Sequence, residues 1–159
     1  MIEEKYKNLA AMAVSLVKGI ERTGIKVTHL KDRYGKLLMP LEGNVNHIGM
    51  MYAGSLFTIG ELSGGILHGV AFDTHNFYPL VKEVLIRFLA PAMTDVTLEV
   101  SMSKEGVALV QKEAEENGKA DYILDLEIKD KSEAVVAVVH GTWQIRKIPE
   151  ELKESLSFF

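Results

Sequence analysis

Between Glu42 and Asp73 the chain carries one formally charged side chain, Glu61. This run contains NHIGMMYAGSLFTIGELSGG, residues 46–65. From about Tyr52 to Ile66 the hydropathy has a helical period, yet the helix is apolar nearly all round. Such a helix is buried inside a fold rather than laid on its surface. It needs cover on every side, and that requirement limits the architectures open to the chain. Gly54, Gly60 and Gly64 would each weaken an exposed helix, but they suit a helix that other groups approach closely. Gly64-Gly65 and Gly69 are candidate stops, so the reading ends the helix at about Ile66.

The cover must come from the flanking segments. Residues 3–22 read as an N-terminal helix, with Leu9, Met12, Ala13, Leu16, Val17 and Ile20 at helical spacing and Thr23-Gly24 as its stop. Residues 25–31 and 35–41 read as two strands joined by Asp32-Arg33-Tyr34, with Gly35 supplying the turn and Pro40 arguing against a central place for the second. Beyond Asp73 the pattern becomes strand-like. Glu83–Leu89 and Asp95–Ser101 are separated by Pro91. Residues 104–117 form a short amphipathic helix closed by Asn117-Gly118. Tyr122, Leu124, Leu126 and Ile128 alternate with polar residues, and a last strand runs from Ala134 to Arg146. The tail after Pro149 reads as amphipathic and frayed. With no repeat and no linker, residues 1–159 read as a single domain. Six strands around one buried helix define an α+β fold with an antiparallel sheet. Such a sheet covers one side of the helix and leaves its own edges open, which homodimerisation would remedy.

Composition narrows the function. The formal net charge of −4 gives no basic patch for nucleic acid. The chain has no cysteine, which removes disulfides, a thiolate nucleophile and thiolate-bound metals. The N-terminal MIEEKYKNLAAMAVSLVKG opens on acidic residues and is not read as a signal peptide. The uncharged run from Ile48 stops at Gly60, too short for a membrane span. The expected location is therefore cytoplasmic. His29, His68, His75 and His140 form no H-x-x-x-H or H-E-x-x-H pattern, and no metal site is assembled by spacing. Ser55 and Ser63 lie outside G-x-S-x-G. Trp143 and Tyr122 read as core or interface aromatics.

Glu61 is the chemically loaded residue. A carboxylate in apolar surroundings is destabilised as an anion, and its pKa rises toward the range of a general base at neutral pH. Alternatively it reaches solvent at an interface or pairs with Arg87, Lys82 or His68. Asn46, His47 and Gly49 precede the helix, whose first N–H groups lack partners. Gly54 near that end would let a carbonyl oxygen approach the backbone, as in an oxyanion site. An ordinary turn is the competing reading. Ser55 is placed to cap or line the helix start.

The pattern Asn46-x-x-Gly49-x-x-x-x-Gly54 followed by Leu56-Phe57-x-x-x-Glu61 resembles the central segment of hotdog-fold acyl-CoA thioesterases of the phenylacetate-pathway type. The full twenty residues, and the later YPLVKEVLIRFLAPAMTDV, are similar to a thioesterase-like branch of that superfamily. The likeness spans roughly residues 25–147. It implies an antiparallel sheet gripping a long central helix, in a homodimer or dimer of dimers. It also implies a site at the subunit interface for acyl-CoA or another acyl thioester, with no cofactor. Carried over, Glu61 is the general base or nucleophile, Asn46 orients it or the water, and the Gly54 N–H polarises the carbonyl. His47, Tyr52, Ser55 and Phe57 are pocket candidates. The family's His-Gly-Gly turn is Tyr52-Ala53-Gly54 here. Rival functions are a non-catalytic acyl-CoA or fatty-acid binding protein, a hydratase or dehydratase on the same fold, and a purely structural dimer.

Overall fold

The computed structural model describes residues 1–153. Six strands form one antiparallel sheet: β1 (Lys26–Lys31), β2 (Tyr34–Met39), β3 (Phe77–Phe88), β4 (Val96–Ser101), β5 (Lys119–Asp130) and β6 (Val135–Lys147). Their order across the sheet is β1-β2-β4-β5-β6-β3. The helices are α1 (Lys7–Ser15), α2 (Lys18–Glu21), α3 (Ala53–Ala71) and α4 (Lys104–Asn117). Helix α3 lies on one face of the sheet and packs against β2 through β6. This is the α+β hotdog arrangement, with an additional helix before the first strand.

Alternation in the strands builds the core. Along β5, buried Ala120, Tyr122, Leu124, Leu126 and Ile128 alternate with exposed neighbours. Together with Leu98, Val139, Trp143 and Ile145 they meet Ile59, Ile66 and Leu67 of α3. The two buried aromatic donors also hold the helix backbone. Tyr122 Oη donates to the Gly64 carbonyl at 3.0 Å, and Trp143 Nε1 donates to the Glu61 carbonyl at 3.3 Å.

Several sequence expectations shift. Helix α3 continues five residues past Ile66, to Ala71. Its glycines do not stop it, because they answer packing. A Cβ on Gly64 would sit 2.2 Å from Trp143 Nε1, so the indole fills the space a side chain would take. Gly35 likewise is not the turn. The turn is Asp32-Arg33, with Arg33 at φ 59, while Gly35 lies in β2, where a Cβ would come within 2.6 Å of Ile66 Cγ2. Strand β2 is internal, between β1 and β4; Pro40 follows its last residue and so removes no ladder bond. Strand β3 begins at Phe77 rather than Glu83 and accommodates Pro79 because it is the sheet edge, paired with β6 alone.

The N-terminal helix is not continuous over 3–22. A 3-10 turn (Glu4–Tyr6) and α1 are followed by a break in which Val17 is extended (φ −105, ψ 115) before α2. Ser15 Oγ donates back to the Ala11 carbonyl at 2.9 Å, a bond that competes with helix continuation. Leu16 and Val17 therefore turn outward, 52% and 55% exposed, rather than joining the core. Helix α4 has the expected bounds, capped by Ser103 Oγ, which accepts from Gly106 N, and closed by Gly118 at φ 76. After Pro149 a 3-10 turn spans Glu150–Leu152, and the end of the expected amphipathic tail lies outside the described residues. Among the described residues no helix is long and apolar enough to cross a membrane.

Candidate functional site

The start of α3 is fixed by a loop that bonds largely to itself. Gly43 (φ 80) turns the Asn44 side chain inward. Asn44 Nδ2 donates to the carbonyls of Thr23 (2.7 Å) and Pro40 (2.9 Å), and its Oδ1 accepts from Ser55 Oγ at 2.8 Å. The Asn44 carbonyl accepts from Tyr52 N at 2.7 Å. Ser55 is thus buried and committed to anchoring the helix. In the sequence this anchor is marked only by the Gly43-Asn44 pair that precedes the apolar run.

Asn46 organises the next turn. Its Oδ1 accepts from the N–H groups of Ile48 (3.0 Å) and Met50 (3.2 Å). Among the described residues its amide nitrogen has no partner. Asn46 also lines a cavity of about 290 Å³ with Met50, Met51, Ala53, Leu56 and the Phe88–Ala92 segment that leaves β3. His47 is exposed in this loop and does not line the cavity.

Tyr52 ends the loop in an extended conformation, and its carbonyl accepts from Ser55 N (3.0 Å) and Leu56 N (3.2 Å). No side chain caps the helix. The N–H groups of Ala53 and Gly54 have no acceptor among the described residues and point out of the helix end, where its dipole is positive. The exposed Tyr52 ring packs over Gly54, with Cε1 2.2 Å from where a Cβ would stand.

As the sequence reading expected, the sheet covers one side of α3 and does not enclose it. Ala53, Gly54, Phe57, Thr58, Glu61, Leu62 and Gly65 remain unburied, and their three- and four-residue spacing makes one stripe along the helix. Further along, Leu9 of α1 packs on Gly69 and closes the stripe. Gly65 faces open space. Glu61 therefore sits on the open line, half-buried, beside room for another molecule.

Among the described residues the Glu61 carboxylate has no hydrogen bond and no ion pair. The candidate partners are engaged or elsewhere: Lys82 pairs with Asp121 at 2.5 Å, His68 Nε2 donates to the Phe77 carbonyl at 3.2 Å, and Arg87 is exposed on β3. Burial alone pushes the Glu61 carboxyl above the ordinary carboxylate range. Gly54 and Glu61 are seven residues apart, which puts them on one helix face, about 10.5 Å along the axis. The structure thus gathers Asn46 and Ala53 at one cavity and sets Gly54, Phe57 and Glu61 along the adjoining stripe. Thr58, Gly65 and the residues at the end of β3 join them, none of which sequence reasoning singled out. Among the described residues no group of three or more His, Cys, Asp or Glu side chains is arranged to hold a metal ion.

A six-stranded antiparallel sheet around a long helix defines a hotdog-fold domain of the thioesterase superfamily. The chain belongs to the family described as a domain of unknown function, DUF4442, which matches residues 7–145. It is similar to a crystal structure from Pseudomonas aeruginosa of a protein of unknown function, described as a probable thioesterase. The two share 38% identity over 93% of this chain and 99% of that one, with a TM-score of 0.86. A thioesterase from Haemophilus influenzae (12% identity, 91% and 92% of the chains, TM-score 0.69) has the same fold. So does the PaaI protein of the E. coli phenylacetic acid degradation operon (15% identity, 91% and 93%, TM-score 0.63). Among curated proteins the chain matches none. These relationships establish the hotdog fold for this chain.

Proposed function

We propose that this chain hydrolyses acyl thioesters, in particular those of coenzyme A, with Glu61 as the general base. The observation that carries this reading is the half-buried, unpartnered Glu61 carboxylate on the open stripe of α3, on the same face as the free N–H of Gly54. The thioester carbonyl oxygen accepts a hydrogen bond from Gly54 N–H at the positive end of the helix. Glu61 removes a proton from water as its oxygen bonds to the carbonyl carbon. The negative charge that develops on the carbonyl oxygen is held by the same donor, which binds it more strongly than the neutral carbonyl. When the C–S bond breaks, Glu61 returns the proton to the departing thiolate, giving a carboxylic acid and a thiol. Asn46, whose Oδ1 is committed to its loop, offers its amide N–H to orient the water. An anhydride route, in which Glu61 attacks directly, uses the same groups.

The site is completed by a second copy of the chain. Among the described residues strand β3 is a 12-residue edge with no partner on its outer side, and Leu80, Val81, Leu85 and Phe88 on it are exposed. Edge strands of this kind invite pairing. Phe57, 40% exposed, lies midway between Gly54 and Glu61. A two-fold axis passing near Phe57 and Thr58 would set two α3 helices antiparallel, with Glu61 of one copy facing Gly54 of the other, and would exclude water from both. The test is a panel of acyl-CoA substrates with thiol detection, run beside Glu61→Gln. Thiol release by the wild type and its loss in a folded variant are expected; release at the wild-type rate in the variant removes Glu61 from the mechanism.

A further inference from the structure

The hydroxyl groups at the start of α3 belong to Tyr52, Ser55 and Thr58, and the last two are engaged. Ser55 Oγ donates to Asn44 Oδ1 at 2.8 Å, and Thr58 Oγ donates back to the Gly54 carbonyl at 2.8 Å. The Tyr52 hydroxyl has no hydrogen-bond partner among the described residues. The backbone of Tyr52 is nevertheless fixed. Its N–H donates to the Asn44 carbonyl at 2.7 Å, and its carbonyl accepts from Ser55 N and Leu56 N. The residue is 59% exposed, so core packing does not account for its ring.

The place of the ring is specific. It folds back over Gly54, with Cζ 2.8 Å and Cδ1 3.0 Å from where a Cβ would stand and Cε1 closer still. No side chain fits at position 54 beside this ring, so the glycine is what lets the tyrosine lie there. Cζ carries the hydroxyl, one bond further out. A free phenol O–H and the free N–H of Gly54 thus flank one spot at the positive end of α3. A carbonyl oxygen has two lone pairs and can accept from both. Neither donor has to leave another partner to bind it. Donors fixed in advance in this way are the ones that stabilise a developing oxyanion.

We propose that Tyr52 is a catalytic residue whose hydroxyl binds the thioester carbonyl oxygen together with the Gly54 N–H. The proposal rests on the thioesterase reading above. The hydroxyl keeps its proton throughout. Its hydrogen bond to the carbonyl oxygen strengthens as water adds to the carbonyl carbon and negative charge collects on that oxygen. The bond weakens again when the C–S bond breaks and the C=O bond re-forms. Tyr52 adds a side-chain donor to the single one that the backbone supplies.

Tyr52→Phe tests this, because it keeps the ring on Gly54 and removes only the donor. Its Tm should match the wild type. The lost bond is strongest in the transition state, so kcat for acyl-CoA hydrolysis should fall about a hundredfold with KM nearly held. A second measurement reads the bond without turnover. The acyl-CoA of the panel that binds best, isotope-labelled at its carbonyl carbon, is bound to Glu61→Gln and to the double variant with Tyr52→Phe. Infrared difference spectra should place the C=O stretch at higher frequency in the double variant, where a donor is missing. An unchanged kcat in Tyr52→Phe overturns the proposal. So does a lowered kcat with an unmoved C=O stretch, which would mark a role in packing or assembly only. If the wild type hydrolyses no thioester, the thioesterase reading fails by itself, and the C=O stretch of the bound ester still decides Tyr52. If no acyl-CoA gives a bound carbonyl band, the proposal falls as well.

Discussion

Glu61→Gln should make the protein more stable while removing its chemistry, and the pH dependence of that gain is the informative part. The Glu61 carboxyl is pushed above its ordinary pKa of 4.5 by loss of hydration, with no compensating donor. The folded chain therefore holds the Glu61 proton more tightly than the unfolded chain does. Stability from this group is complete below about pH 4.5 and is lost as pH rises through the higher folded value. Glutamine has nearly the same shape and does not titrate. The difference in stability between variant and wild type should be near zero around pH 4 and grow to a plateau at neutral pH. A half-buried carboxylate freed of its desolvation penalty is expected to give about 1 kcal/mol, or roughly 2–4 °C in Tm for a chain of this size. Thermal unfolding of both proteins from pH 4 to pH 8, at one protein concentration because any self-association would add stability, measures it. A gap that is constant with pH, or a variant less stable than wild type at neutral pH, refutes the reasoning that Glu61 is held as an unsatisfied anion. The same displacement should appear in catalysis, with the acid limb of kcat/KM above the ordinary carboxylate range.

Other predictions follow from packing and from the shared site. Gly64→Ala places a methyl 2.2 Å from Trp143 Nε1 in the core and should destabilise by about 1–3 kcal/mol, measured by denaturant unfolding. His68 is buried, with a pKa lowered to about 4 by desolvation. The unfolded state thus binds an additional proton below pH 6.5, and stability should fall by about 3 kcal/mol between pH 6.5 and 4. A His68→Gln variant that folds should have a shallower slope over that window. Gly54→Val drives a side chain into the Tyr52 ring and the carbonyl position, and should abolish hydrolysis. If the site is shared between two copies, mixing Gly54→Val with Glu61→Gln and allowing subunit exchange should restore about a quarter of wild-type activity, because half the dimers are mixed and each holds one intact site. No recovery after demonstrated exchange would place Gly54 and Glu61 of the same copy in one site.

Much of the fold was legible because its signals are local. The alternation in 119–130 specifies a half-buried strand whatever surrounds it, and Asn117-Gly118 marks the end of α4. The misreadings involve glycines and the N-terminal helix, where distant contacts decide. Gly35 and Gly64 look like punctuation in sequence and are spaces for Ile66 and Trp143 in the fold. The apolar spacing of residues 9–20 is real, but only Leu9, Ala10, Ala13, Val14 and Ile20 find the core, since the chain breaks at Leu16-Val17. At the site, Glu61 was visible as a chemical anomaly. The division of labour between Asn44 and Asn46 was not, because a positive-φ glycine one residue earlier decides which side chain turns inward.

The open stripe joins assembly to chemistry. Period and composition require cover for all faces of α3, and a single sheet covers one side only. The sheet of one chain reaches round most of the helix and stops, leaving a line of small and apolar residues interrupted by Thr58 and Glu61. Gly54 and Gly65 on that line allow close approach at its two ends, while Phe57 offers apolar area between them. Covering the line with a second α3 would satisfy the burial requirement and deepen the desolvation of Glu61 in one step. Association should therefore raise the Glu61 pKa further, and dilution below the dimerisation constant should lower the acid limb of the rate profile toward the ordinary carboxylate range as activity declines. An acid limb that stays fixed while the protein dissociates would separate the carboxylate from the interface.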